Sequence, residues 1–123
     1  MSHAAAKFKA AVESQDMEAA IALLSEHVVF RSPIVHADYV GRDAVAPILQ
    51  GVAVVFEDFR YIAEFSSDDG HVLMFAASVG DRQLQGVDII ETDGDEITDL
   101  TVMVRPYSAA TALRERMAAL LAG

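Results

Sequence analysis

The sequence contains no cysteine, which removes disulfides, thiolate metal sites and cysteine nucleophiles at once. Lysine occurs only twice, as Lys7 and Lys9, and nineteen acids stand against nine bases for a formal net charge of -10. No basic patch can be built from so few cations. Nucleic acid is therefore not expected as a partner, because phosphate binding depends on clustered Lys and Arg. Anionic membrane surfaces are disfavoured for the same reason. No apolar run reaches the roughly 18 residues that span a bilayer. The N-terminal stretch MSHAAAKFKAAVESQ lacks the pattern of a signal peptide, so a cytoplasmic protein is the default expectation. The four histidines, at 3, 27, 36 and 71, show neither HxH nor HxxxH spacing, and no metal site is expected. Gly80, Gly86 and Gly94 are isolated rather than a phosphate-cradling cluster, and Ser32-Pro33 sits in no Gly-x-Ser-x-Gly elbow. No cofactor is implied.

Hydrophobic residues make up 53% of the 123 residues and charged ones 23%, which describes a globular chain able to bury one core. We read it as one domain, 1–123. Ala4, Phe8, Ala11 and Val12 recur at helical spacing between His3 and Ser14. Asp16 is placed to cap a second helix running through Leu23 and Leu24. The stretch HVVFRSPIVHADYVGRDAVAPILQG then reads as a strand stopped by Pro33, an irregular loop, and a third helix from about Arg42 to Val54 with Asp43 as its cap. Four strands follow. Phe59, Tyr61, Ala63 and Phe65 alternate onto one face of the first, and the Asp68-Asp69-Gly70 turn leads into a nearly continuous apolar strand from Val72 to Val79. Leu84–Ile90 and Ile97–Val104 complete the set, and Ser108 can cap a last helix carrying Leu113, Met117, Leu120 and Leu121. Helices followed by hairpin-linked strands indicate an α+β fold with an antiparallel sheet.

This order resembles the NTF2-like superfamily, and within it the SnoaL-like and ketosteroid-isomerase-like branch. The residues that carry the resemblance are VVFRSP, the Gly41-Arg42-Asp43-Ala44 helix start, the GVDIIETDGDEI hairpin and the VMVRPYSA end. It implies a cone in which N-terminal helices pack on a strongly curved antiparallel sheet, with a C-terminal helix and a pocket between sheet and helices. In the isomerase branch a carboxylate at the end of the first strand moves protons. A helix tyrosine and a protonated aspartic acid on a later strand donate hydrogen bonds to the oxyanion; this enzyme is a standard worked case of a carboxylic acid kept neutral by an apolar site. Carried across by spacing, the base position falls on Ser32, the helix tyrosine on Phe8 and a second tyrosine on Leu49. Only the later aspartic acid matches, at Asp88. A serine cannot abstract a proton near pH 7 without a partner, and Phe8 donates no hydrogen bond.

The resemblance therefore implies a small-molecule pocket lined by Phe8, Val12, Phe30, Ser32, Tyr39, Leu49, Leu100 and Val102, with Asp88 as the candidate proton-transfer group. Asp88 shares its strand face with Leu84, Gly86 and Ile90, which should raise the affinity of its carboxyl for a proton unless an arginine pairs with it. His36, in the loop over the pocket mouth, is a second acid/base candidate, against the reading of an exposed loop histidine. His27 and His71 are expected at the surface. Arg42 either reaches a polar substrate or pairs with nearby acids. The expected activity is isomerase- or cyclase-like chemistry on a small apolar carbonyl compound, without a cofactor. The alternatives are a non-catalytic binding protein and a protein-interaction domain. Apolar residues on both faces of the strands suggest a homodimer through the outer face of the sheet.

Overall fold

The computed structural model describes residues 3–68 and 70–122. Asp69, in the middle of one expected turn, lies outside the described residues. Helical apolar spacing gives α1 (His3–Glu13), which buries Ala4, Ala5, Phe8 and Ala11. Asp16 caps α2 (Met17–Ala22) by accepting from the Ala19 amide at 3.1 Å. Six strands follow or interleave: β1 (Leu24–Arg31), β2 (Tyr39–Val40), β3 (Glu57–Ser66), β4 (Gly70–Val79), β5 (Arg82–Asp93) and β6 (Glu96–Arg105). Helix α3 (Arg42–Val55) joins β2 to β3, and α4 (Tyr107–Ala122) closes the chain. Two caps differ from expectation. Gly41 at φ 100° precedes α3, leaving Asp43 inside its first turn, and α4 starts before Ser108 with Ala109 and Ala110 bonding back to the Pro106 carbonyl.

The sheet order is β2-β1-β6-β5-β4-β3. Hairpins make β3 to β6 antiparallel, as the turn signals require, but β1 runs parallel to β6. The sheet is thus mixed, because β1 meets the far end of a meander to which no hairpin connects it. Two register irregularities in β3, between Glu57 and Arg60 and between Tyr61 and Ala63, break its alternation. Bulges bend and twist a strand, and an odd insertion exchanges its faces. Phe59 and Tyr61 point inward, whereas Phe65 is 62% exposed, contrary to a single-face reading of this strand.

Two apolar clusters fill the concave side. One joins α1, α2, β1 and the start of α3 to Leu73, Ile90, Ile97 and Leu100. The other places Ala109 and Leu113 of α4 against Val55, Phe75, Ala77, Val79 and Leu84. Tyr61 and Val102 pack against both clusters, at their seam. No helix among the described residues is long and apolar enough to cross a membrane.

Candidate functional site

Alternation along β5 buries Leu84, Gly86, Asp88 and Ile90 and leaves Val87 and Ile89 half-buried on the other side. Asp88 therefore enters the concave side, opposite Leu73 of β4 and Val102 of β6. It retains only 9% of its surface. On β3 the first bulge turns Tyr61 inward opposite Phe75, and its hydroxyl donates to Asp88 Oδ2 at 2.7 Å. Among the described residues no Lys, Arg or His pairs with Asp88, and its second oxygen, Oδ1, has no hydrogen-bond partner.

Burial disfavours the carboxylate and raises Asp88 from 3.8 to about 6, against the opposing pull of the Tyr61 hydrogen bond. The Tyr61 phenol is pushed upward by burial first, then by the Asp88 charge and hydrogen bond, then by the Glu13 charge. It stays a donor at any physiological pH. The pair is a carboxyl that titrates near neutrality, held by a phenol that does not.

These two groups open onto a cavity of about 470 Å³ between α1, α3 and the sheet. Of the residues expected at a pocket, Phe8, Val12, Phe30, Leu49, Asp88, Leu100 and Val102 line it. Ser32 and Tyr39 do not. Ser32 lies beyond the cavity, where its Oγ accepts from the amides of Ile34 and Val35 and shapes the loop. Tyr39 pairs in β2 and tilts against Phe30 at 6.2 Å between centroids, outside the cavity wall. His36 is exposed on the loop and outside the cavity wall. Arg42 follows neither reading: its Nε and Nη2 donate to the Leu24 carbonyl at 3.0 and 2.7 Å, closing the irregular start of β1. His71 is buried at 1% exposure rather than at the surface, since β4 alternation sets it inward beside Leu73 and Phe75. Its Nδ1 lies 3.1 Å from Ser66 Oγ.

Sequence reasoning missed Tyr61, Glu13 and Asp58 on the cavity wall. Tyr61 carried a signal, as the single hydroxyl on the alternating Phe59-Tyr61 face. Glu13 and Asp58 carried none, because a helix end and a bulge at φ 53° decide where they point. A second cleft, of about 560 Å³, lies at the end of the sheet among Arg60, Ser78, Gln83, Gln85 and Arg105. Its arginines are exposed, so the apolar cavity that holds the nearly buried Asp88 is the better candidate.

The SnoaL-like domain family matches residues 5–100. Among solved structures, a steroid delta-isomerase from Pseudomonas aeruginosa is 41% identical with a TM-score of 0.92, over 97% of this chain and 89% of that one. A protein with a cystatin-like fold from Silicibacter pomeroyi is 36% identical with a TM-score of 0.91, over 97% and 85% of the two chains. A putative ketosteroid isomerase from Kribbella flavida, 19% identical with a TM-score of 0.69 over 83% and 75%, shares the fold. None of the curated proteins matches the sequence.

Proposed function

The chain belongs to the SnoaL-like domain family, and on that footing we propose that it is a small-molecule pocket protein acting as a cofactor-free acid/base enzyme on a small, apolar carbonyl compound. The observation that carries this reading is the 2.7 Å contact between Tyr61 Oη and Asp88 Oδ2 at the wall of an otherwise largely apolar cavity. A volume of about 470 Å³ suits a small organic ligand. The similarity to a protein named steroid delta-isomerase supports a proton shift beside a ketone.

Asp88 has the properties such a shift needs. With a proton affinity near 6 it is mostly carboxylate at neutral pH, yet readily protonated. Tyr61 occupies Oδ2 and leaves Oδ1 free to act as the base of a residue that lines the cavity. Oδ1 takes a proton from a carbon next to the ligand carbonyl: the C–H bond breaks, an O–H bond forms, and the electron pair moves into the enolate. Returning that proton to a different carbon of the same conjugated system completes an isomerisation with no other reactant. Asp88 thus takes the base role itself, since Ser32 stands where the isomerase branch has its carboxylate.

The test is deuterium uptake. Phenylacetone in deuterium oxide with the protein should lose its benzylic proton signal faster than in buffer, and Asp88→Asn should remove about 10²-fold or more of that acceleration. A second reading is favoured by one observation: Ser32, Phe8 and Leu49 replace the base and both tyrosines of the isomerase branch. On that reading the pocket binds without turnover, and phenylacetone would bind while exchanging at the background rate. We also assign a second copy of the chain to the outer face of the sheet, where Val72, Met74, Val87, Ile89 and Met103 belong to neither core cluster.

A further inference from the structure

All the charged side chains on the cavity wall have one sign. Asp88 lies within, and Glu13 from the end of α1 and Asp58 from the β3 bulge stand at the exposed rim. Among the described residues neither a lysine, an arginine nor a histidine lines the cavity. Two cations contact the rim residues from outside the cavity. Lys9, half-buried, meets the exposed Glu13 at 3.3 Å in an i,i+4 pair at the surface, an arrangement that contributes little. Arg60 donates to the Asp58 carbonyl and lines the other cleft. The reach of the rim charge into the site is visible in Tyr61, whose phenol is pushed up in part by Glu13.

Five aromatic rings share the remaining wall with aliphatic side chains. Phe56 stacks on Phe59 at 5.8 Å, and Phe59 meets Tyr61 edge to face at 5.0 Å, with Phe8 and Phe30 on the other walls. Ring faces carry negative charge density and attract cations. The nine-tenths-buried Asp88 lines this space, and only its Oδ2 has a hydrogen-bond partner among the described residues. An anionic ligand would meet repulsion from every ionised group on the wall, and a neutral one would leave Asp88 uncompensated whenever it ionises.

From this juxtaposition of three carboxyls and five rings, with no cation on the described cavity wall, we infer that the ligand of this cavity carries a positive charge, a protonated or quaternary amine, on its apolar body. The inference rests on the pocket reading above and narrows its substrate class to amine-bearing carbonyl compounds. Such a charge also offsets the negative charge that grows on an enolate while Asp88 removes a proton, so it fits the chemistry as well as the binding.

Three ketones of nearly the same shape separate the possibilities. In para-tert-butylacetophenone and para-trimethylammonioacetophenone a neutral carbon is exchanged for a permanently charged nitrogen, and para-acetylbenzoate carries the opposite sign. Titration calorimetry at low salt should show the ammonium ketone binding about tenfold tighter than its tert-butyl isostere, with no binding of the benzoate. The pair Glu13→Gln and Asp58→Asn should reduce the ratio of ammonium to tert-butyl affinity; asparagine tolerates the positive φ at position 58. A tert-butyl ketone that binds as tightly as the ammonium, a benzoate that binds, or an advantage untouched by the rim pair overturns the inference and leaves the pocket standing. If none of the three binds, the pocket reading falls and takes the inference with it.

Discussion

The Tyr61 hydroxyl reaches Asp88 from a different strand, 27 residues away in sequence, and the 2.7 Å bond between them crosses the seam of the two apolar clusters. The bond opposes burial: desolvation makes the carboxyl hold its proton, and the phenol donor favours the ionised form. Removing the donor therefore has a definite sign. In Tyr61→Phe the ring keeps its packing on Phe59, while Asp88 loses the hydrogen bond and should titrate above about 6. Carbon-detected NMR of the Asp88 carboxyl reads the shift directly, and the acid limb of any exchange activity should move to higher pH with it. A titration that stays put or falls in the variant would remove Tyr61 from the site.

Asp88 also makes stability depend on pH. Its folded-state proton affinity is raised above the unfolded value of 3.8, so its contribution is fully present below that pH and is lost as pH rises through about 6. Above that window the ionised, nearly buried group costs on the order of 2–3 kcal/mol. Asp88→Asn cannot titrate. Urea unfolding of the two proteins from pH 4 to pH 7 should show the wild type losing ground to the variant by about that amount, with the change confined to the window. Parallel curves would mean the carboxyl is not desolvated in solution.

How far the sequence exposed this site depends on how local each cause is. Asp88 could be placed because β5 is regular, and alternation with Leu84, Gly86 and Ile90 settles its face. Phe8, Leu49 and Leu100 were placed at the pocket by the family resemblance, and helix and strand periodicity agrees with their burial. Phe65 did not, because one extra residue between Tyr61 and Ala63 exchanges the faces of β3, and no residue type announces that bulge. Ser32 was legible as a loop residue but not as one whose hydroxyl is consumed by the Ile34 and Val35 amides. The parallel pairing of β1 with β6 is a long-range choice with no turn to signal it. Tyr61 stood in plain view, yet its partner is set by strand register across two neighbours.

His71 was expected in water and is buried instead with Nε2 lacking any hydrogen-bond partner among the described residues. An unsatisfied buried nitrogen costs about 1–3 kcal/mol. Leucine fits the apolar neighbourhood of Leu73 and Ile90 and leaves only the exposed Ser66 hydroxyl to bond with water. His71→Leu should raise the urea midpoint, for a gain of about 1 kcal/mol or more. A loss of stability would show that the imidazole has a partner worth keeping.

Gly86 has no such latitude. A Cβ there would stand 2.5 Å from the Met103 carbonyl oxygen and 2.5 Å from Phe75 Cζ, so both a backbone and a core ring would have to move. Phe75 is 1% exposed and anchors the second cluster, with Phe59 stacked on it at 5.0 Å. Overpacking of this kind costs roughly 1–3 kcal/mol. Gly86→Ala should fall at the upper end, with a lowered thermal midpoint and a disturbed aromatic circular dichroism band. Wild-type behaviour in both would mean that β5 and β6 separate easily, which the regular pairing around Gly86 argues against.

The outer face of the sheet leads to the last prediction. Val87 and Met103 sit opposite each other, as do Met74 and Val87, so that an apolar row crosses β4, β5 and β6 on the side away from both clusters. Met103 is 56% exposed, although a chain with nineteen acids has ample polar residues to put there. A self-complementary face of this kind is most simply covered by its own copy across a twofold axis. Sedimentation at micromolar concentration should therefore give twice the 13.2 kDa chain mass. Met103→Glu places two like charges near that axis, on a side chain that contributes to neither core cluster. It should yield a folded monomer with an unchanged far-ultraviolet spectrum. A wild-type monomer under these conditions would show that this apolar row is left to solvent. A dimer that survives Met103→Glu would put the interface elsewhere on the molecule.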